Sequence, residues 1–102
     1  MKAGMKRKWI TALRSGEYEQ GAGNLKAKDD EGNVSFCCLG VLRDLYPTVR
    51  KARNGMELLS PATCGIPTKV QDKLAEMNDG KGVFYFKPQS FKRIATWIEK
   101  HL

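Results

Sequence analysis

The sequence has few of the residues that catalysis and metal binding usually require. Among its 102 residues there is one histidine, His101, and there are three cysteines, Cys37, Cys38 and Cys64. A nucleophilic thiol normally needs a neighbouring base, and zinc sites normally use cysteines or histidines in C-x2-C or H-x3-H spacing, which this chain lacks. We therefore expect neither an enzyme nor a bound metal or other cofactor.

Long apolar runs and an export signal are also lacking. No apolar stretch approaches the ~20 residues that span a membrane. The basic N-terminus, with Lys2, Lys6, Arg7 and Lys8, is not followed by an apolar segment before Arg14. An odd number of cysteines without an export signal favours reduced thiols. We expect a cytoplasmic protein that does not contact a membrane.

Phosphate-binding and acid–base motifs are incomplete. Gly16 and Gly21 have the spacing of the glycines in a P-loop, but Ala22 stands where the phosphate-binding lysine belongs. Asp72 and Glu76 are interleaved with lysines, which is typical of a solvated helix face rather than of a catalytic pair. Turns are the simplest interpretation of the glycines, although their backbone N–H groups remain an alternative site for an anion.

Positive charge is abundant. The chain has 18 Lys and Arg residues against 11 Asp and Glu residues, a formal net charge of +7, which favours encounters with anions such as nucleic acid, nucleotides or an acidic protein. Two groups of basic residues form one basic patch if they share a face. The first group is Lys6, Arg7 and Lys8, and the second is Arg43, Arg50, Lys51 and Arg53.

Hydrophobic periodicity and turn residues predict a single α+β domain over residues 1–102, with about four helices, a short β-hairpin and one or two further short strands. The predicted helices are residues 5–14, 36–46, 67–78 and 91–101, the last capped by Ser90. The predicted strands are residues 25–28 and 34–36 around the turn sequence DDEGN, residues 56–59 after the turn Asn54–Gly55, and residues 83–86. Residues 61–67 are predicted to be a loop.

The adjacent cysteines are predicted to be core residues. On a helical wheel Cys38 lies in the middle of the apolar arc with Leu42 and Leu45, and Cys37 lies at its edge. A place in the first turn of a helix lowers the pKa of a thiol, which is the one argument for reactivity. Burial is the commoner environment of cysteine. His101 is expected to interact with the last carbonyls of its own helix.

Four segments form a pattern that covers most of the chain: W..ALRSGEYEQGAGNL (residues 9–25), FCCLGVLRDLY (36–46), LAEMNDGKG (74–82) and F..IATWIE (91–99). Together they resemble a family of small proteins, mostly described as hypothetical, that tailed bacteriophages and prophages encode. The resemblance is weakest across residues 47–65, and GVFYFKPQS is longer than the family's usual turn. The resemblance brings no catalytic residue. It implies a phage protein in the cytoplasm of a bacterial host, with a role such as host takeover or counter-defence.

We therefore expect a small phage-type accessory protein that binds a host protein or an anionic small ligand, for example a nucleotide signal, without catalysis. The polar loop after the first helix supplies the candidate ligand-binding residues Arg14, Tyr18 and Gln20. The alternative is that these side chains tie the loop to the hairpin. A second hypothesis is a sequence-nonspecific nucleic-acid-binding protein that uses the two basic groups.

Overall fold

The computed structural model describes residues 1–53, 56–80 and 87–102, and for residues 50–53 and 56–58 it describes the backbone alone. These ranges contain five α-helices and four strands, which confirms the α+β class. In chain order they are α1 (Ala3–Ser15), β1 (Lys26–Lys28), β2 (Val34–Phe36), α2 (Cys38–Leu45), β3 (Arg50–Arg53), β4 (Met56–Leu59), α3 (Pro61–Cys64), α4 (Thr68–Asp79) and α5 (Phe91–His101), with a 3-10 turn at Pro47–Val49.

The four predicted helices are confirmed as α1, α2, α4 and α5, with ends within two residues of the prediction. Helix α1 stops at Gly16, whose φ of 78° is a left-handed conformation that glycine adopts without steric cost. Ser90 caps α5, since its side chain accepts a hydrogen bond from the Arg93 N–H. In the described part of the chain, no helix combines the length and apolar character needed to cross a lipid bilayer.

The predicted hairpin is confirmed, with β1 and β2 paired antiparallel. The Asp29 carboxylate organises its turn by accepting hydrogen bonds from the backbone N–H groups of Glu31 and Asn33, at 2.9 and 2.8 Å. Asn33 also donates through its side chain, at 3.1 Å. These bonds, chiefly those from Asn33, hold the pKa of Asp29 below its ordinary value.

The polar loop between α1 and β1 runs along the other edge of β2. Phe36 N–H donates to the Glu19 carbonyl and Gly21 N–H donates to the Phe36 carbonyl, both at 2.8 Å. This pairing makes a short parallel bridge between Gln20 and Phe36. Backbone hydrogen bonds therefore hold the loop against β2 independently of its side chains.

Helix α2 occupies the middle of the core, packed against α1 and α4. Its residues Cys38, Val41 and Leu42 are fully buried. Gly40 lies against the Leu25 carbonyl, where a Cβ atom would overlap the backbone. Because Gly40 has no side chain, the start of the hairpin packs directly against α2.

Two segments differ from the prediction. The loop predicted for residues 61–67 is wrong at its start, because Pro61–Cys64 form one helical turn, α3. Arg50–Arg53 form an additional strand that pairs with the predicted strand Met56–Leu59. The sequence RKAR has no alternation of apolar and polar residues that would mark it as a strand. The predicted turn Asn54–Gly55 and the predicted strand at residues 83–86 lie outside the described residues.

Candidate anion-binding interface

Cys37 and Cys38 are core residues, as predicted, and Cys64 is a third buried cysteine. Cys37, Cys38 and Cys64 are free thiols in residues that are 5%, 0% and 1% exposed. Burial raises the pKa of the Cys37 thiol and raises that of Cys38 well above its ordinary value. Cys37 caps α2, where its sulfur accepts a hydrogen bond from the Gly40 N–H, yet the effect of burial on its pKa is the larger one. A buried, protonated thiol is a poor nucleophile.

The single imidazole lies at the exposed end of α5. The His101 ring stacks on the Trp97 ring with their centroids 4.6 Å apart. Within the described ranges, no three or more His, Cys, Asp or Glu side chains are grouped so that they can hold a metal ion.

The three residues predicted to bind a ligand are bonded to different parts of the chain. Arg14 of α1 forms an ion pair with Glu99 of α5, at 3.0 Å. The Tyr18 hydroxyl donates a hydrogen bond of 2.6 Å to Asp44. That bond, followed by burial, raises the pKa of Tyr18 to about 12. Gln20 is bonded to α4 and to the start of α5. These bonds join the side chains to α2, α4 and α5 rather than to the hairpin, and their role in ligand binding stays a prediction.

Gln20, Asn78 and Asp79 form a hydrogen-bonded network that we call the amide junction. Asn78 is 1% exposed. Its Oδ1 accepts hydrogen bonds from Gln20 Nε2 at 3.0 Å and from the Cys38 N–H at 3.2 Å. Its Nδ2 donates to the Gly21 carbonyl at 2.7 Å and to Asp79 Oδ1 at 2.9 Å. One side chain thus joins the polar loop, α2 and the end of α4.

Gln20 extends the amide junction to α5. Its Nε2 also donates to the Gln89 carbonyl at 2.7 Å, and its Oε1 accepts from the Phe91 N–H at 3.2 Å. Amide oxygens of Asn78 and Gln20 therefore satisfy the first backbone N–H groups of α2 and α5, which are groups that would otherwise attract an anion. Among the described residues, every buried side-chain nitrogen and oxygen has a hydrogen-bond partner. The junction is saturated.

An open groove of about 710 Å³ lies beside the hairpin, lined by residues 19–20, 27–29 and 33–35. Gln20 is therefore within reach of a small molecule in this groove. The lining carries two carboxylates, Glu19 and Asp29, against the ammonium group of Lys28. This balance of charge does not favour an anionic ligand.

Most of the net positive charge of the chain lies on α1 and α5, which pack against each other. Together these helices contain seven Lys or Arg residues and one acid, Glu99, a formal net charge of +6. The whole chain carries +7, so 11 basic and 10 acidic residues elsewhere leave +1. The single acid is already paired with Arg14.

The exposed rows of the two helices meet at Arg14. Arg7, Thr11 and Arg14 are exposed at helical spacing on α1, and Lys92, Thr96 and Lys100 are exposed at helical spacing on α5. Arg14 joins the rows, because its guanidinium lies 3.4 Å from Thr96 Oγ1. Lys6 adds a second link by donating to the Glu99 carbonyl at 3.2 Å. We call these two rows, with Arg93 of α5, the cationic face.

The first predicted basic group lies on α1, and two of its three members take part in contacts that fix α1. Lys8 lies 5.5 Å from the centroid of the Tyr46 ring, and Arg7 is exposed. Arg43 of the second group is half-buried on α2, three residues before Tyr46 and so on the same side of that helix. The side chains of Arg50, Lys51 and Arg53 lie outside the described residues. A patch that unites the two groups stays a prediction.

Sequence reasoning missed the basic residues of α5, namely Lys92, Arg93 and Lys100. Their pairing with α1 joins segments about 85 residues apart, which local periodicity does not reveal. The amide junction did leave a signal in the sequence. Asn78 lies four residues after Leu74, so it falls on the apolar stripe of α4, where it is buried.

Neither a search of curated proteins nor a search of solved structures finds a match to this chain. A family model matches residues 1–62, a range that covers α1, the hairpin, α2 and the β3–β4 pair and ends before α5. The match includes the α1 half of the cationic face. The chain belongs to the family described as a domain of unknown function, DUF8296.

Proposed function

We propose that the protein binds an anionic macromolecule at its cationic face and performs no catalysis. The observation that carries the proposal is the segregation of charge, since +6 of the net +7 lies on two adjacent helices. The face consists of exposed helix rows rather than a concave pocket, which suits an extended partner more than a small molecule. Concentrated charge of one sign also accelerates association with a partner of the opposite sign.

The burial of the thiols supports a binding role. Cys37 and Cys38 are removed from solvent, and burial raises the pKa of both. The only imidazole of the chain, that of His101, is stacked on Trp97. On α1 and α5 the exposed charged side chains are mostly cations, and cations on helices are suited to holding phosphates or carboxylates.

The resemblance of the chain to the bacteriophage family extends the proposal to its setting. The protein would act in the cytoplasm of a bacterial host, and its partner would be a host macromolecule. Binding of that kind serves host takeover or counter-defence. This part of the proposal depends on the resemblance, whereas the location of the binding surface depends on the charges of α1 and α5.

Affinity capture with matched charge variants tests the proposal. Arg7→Gln with Lys100→Gln removes two charges from the cationic face, and Lys26→Gln with Lys28→Gln removes two from the hairpin. Each tagged protein is incubated with bacterial lysate, and bound protein and nucleic acid are quantified with and without nuclease treatment. We expect the first variant to lose a partner that the second retains. Equal retention by both variants contradicts the proposal.

A small anionic ligand held by Arg14, Tyr18 and Gln20 is the narrower form of this proposal. Gln20 lines the groove beside the hairpin, which supports it, while Glu19 and Asp29 in the same lining weigh against it. A thermal-shift screen with millimolar nucleotides and cyclic dinucleotides tests it. The narrower form requires a rise in Tm that Arg14→Gln reduces. No rise with any ligand removes the narrower form and leaves the macromolecular one.

A further inference from the structure

An aromatic pair lies at the edge of the cationic face. The Trp97 and His101 rings stack with an interplanar angle of 28° and a centroid distance of 4.6 Å. Trp97 packs against the core with part of its surface, but it is not fully buried, and His101 is exposed. In contrast, Trp9 is 0% exposed and donates a hydrogen bond to the Cys38 carbonyl. The chain thus has one tryptophan that solvent reaches.

Cations surround this aromatic pair on two helices. Arg93 lies four residues before Trp97 and Lys100 lies three after it, so both neighbour the ring on the surface of α5. From α4, Lys73 Nζ lies 5.6 Å from the centroid of the Trp97 ring. Arg93 and Lys100 also belong to the cationic face. The aromatic surface is therefore continuous with the charges of that face.

We infer that the Trp97–His101 pair is a stacking platform for an unpaired base, and that the cationic face holds the phosphates of a single-stranded nucleic acid. The inference rests on the proposed function, because it uses the same surface and names the class of partner. Bases that stack on aromatic rings, with phosphates held by nearby Lys and Arg, are the usual basis of single-strand binding. His101 is exposed, so an incoming base continues the stack that Trp97 begins.

A single strand fits this surface better than two other polyanions. In a duplex the faces of the bases are already stacked on one another, and only groove edges and phosphates remain for a protein to contact. An acidic protein supplies carboxylates but does not need an exposed aromatic pair. Only an unpaired strand uses both the charge of Arg93 and Lys100 and the rings of Trp97 and His101.

The aromatic pair also contributes to the packing of α4 on α5. A cation near a partly exposed aromatic ring adds modestly to stability, and the Lys73–Trp97 contact is of this kind. Loss of stability alone therefore does not test the inference. The test needs a binding readout together with a variant that keeps the packing and changes only the stacking surface.

The experiment measures binding of fluorescently labelled 12-mers of oligothymidylate and oligouridylate by anisotropy, at several salt concentrations. A 12-base-pair duplex and poly-glutamate are the competing probes, and the two oligomers distinguish DNA from RNA. We expect both single strands to bind more tightly than the duplex or the polypeptide. We also expect His101→Ala to weaken single-strand binding about fivefold or more without changing the salt dependence. Thr68→Ala, an exposed change on α4 outside the cationic face, is the matched control.

Trp97 itself reports on the contact. Because Trp9 is buried, quenching of tryptophan fluorescence by oligothymidylate arises from Trp97. Trp97→Phe keeps an aromatic ring and removes the reporter, so we expect binding to persist and quenching to vanish. Trp97→Leu removes the ring, and we expect it to weaken binding as His101→Ala does. Circular dichroism of each variant identifies any that fail to fold, and His101→Ala at the exposed helix end keeps the test independent of them.

Failure of the inference is distinguishable from failure of the proposed function. Arg93→Gln with Lys100→Gln should reduce the slope of log affinity against log salt by about 1.4, since each phosphate contact on a single strand contributes about 0.7. If this charge variant weakens binding but His101→Ala and Trp97→Leu do not, the stacking inference is overturned and the cationic face stands. The inference is also overturned if the duplex or poly-glutamate binds more tightly, or if the single strands do not bind at low salt.

Discussion

The amide junction and the cationic face use their polar groups in opposite ways. In the junction, Asn78 is 1% exposed and makes four hydrogen bonds, all within the chain. On the face, Arg7 and Lys100 are exposed, and Glu99, the one acid of α1 and α5, is already paired with Arg14. The hydrogen bonds of Asn78 in the amide junction are all made within the chain, whereas the cationic face has a large excess of positive charge.

Because of this difference, we expect the amide junction to determine stability and the cationic face to determine binding. Saturated buried amides hold separate segments at fixed positions, and each bond lost there leaves a partner without water to replace it. Exposed cations contribute little to folding but attract anions over distances near the Debye length, ~10 Å at 0.1 M salt. Substitutions should therefore have large effects on stability in the junction and large effects on binding on the face.

The largest effect on stability is expected for Asn78→Ala. The change leaves the Cys38 N–H and the Gly21 carbonyl without their partner in a buried site, so we expect a loss of about 3 kcal/mol or more in the free energy of unfolding. Urea denaturation measures it. Gln89→Ala is the control, because the junction uses only the backbone carbonyl of Gln89. A loss below about 1 kcal/mol for Asn78→Ala would mean that the junction does not hold the fold.

Gly40→Ala should destabilise the protein by about 1–3 kcal/mol, although alanine is the better helix former. A Cβ atom at position 40 overlaps the Leu25 carbonyl, so α2 and the start of the hairpin must separate. Gly4→Ala is the matched change on α1, where no atom lies within 4 Å of the added Cβ. We expect it to raise stability by up to about 1 kcal/mol. Thermal and urea denaturation compare the two, and equal gains in both would refute the close contact.

Tyr18→Phe should lower the free energy of unfolding by about 1 kcal/mol or less, because it removes the hydrogen bond to Asp44 from a partly exposed site. The pKa of Tyr18 is raised from 10.0 to about 12, so the neutral hydroxyl is the form that the folded state favours. The contribution of Tyr18 is therefore complete below pH 10 and disappears as the pH rises through about 12. The difference between wild type and Tyr18→Phe in urea denaturation, measured across this interval, should shrink to zero. A constant difference would contradict the assignment.

The smallest effect on stability is expected for the paired change Arg7→Gln with Lys100→Gln on the cationic face. Both side chains are exposed, so we expect the free energy of unfolding to change by no more than about 0.5 kcal/mol. The same change should abolish binding of the anionic partner. Urea denaturation and the capture experiment, carried out on one preparation, test both halves. A large loss of stability would contradict the claim that the cationic face, unlike the amide junction, contributes little to folding.

Local patterns accounted for most of the secondary structure. Periodic apolar residues and the cap Ser90 located α5, and the turn former Asp29 located the hairpin. The strand Arg50–Arg53 was not predictable, because its residues carry no alternation and its formation depends on pairing with Met56–Leu59. Strands of this kind are defined by their partner rather than by their own sequence.

The candidate site was only partly predictable. The basic group on α1 was identified from composition. The sequence did not show that α5 is the helix that lies next to this group. Contact between distant helices follows from packing of the whole core, which no local window contains. Gln20 was identified as a functional candidate because it is polar and lies in a loop. Its hydrogen bonds to Asn78 and to the start of α5 depend on long-range contacts of the same kind.

The most direct test of the account is a two-dimensional amide NMR titration of the 11.5 kDa chain with oligothymidylate. We expect the largest shifts at Arg7, Thr11 and Arg14 on α1 and between Lys92 and His101 on α5. The amide resonances of the polar loop and of Asn78 should not shift, since their hydrogen bonds are complete within the chain. Shifts centred on residues 19–20 and 27–35, with α1 and α5 unchanged, would contradict the claim that the cationic face is the binding surface.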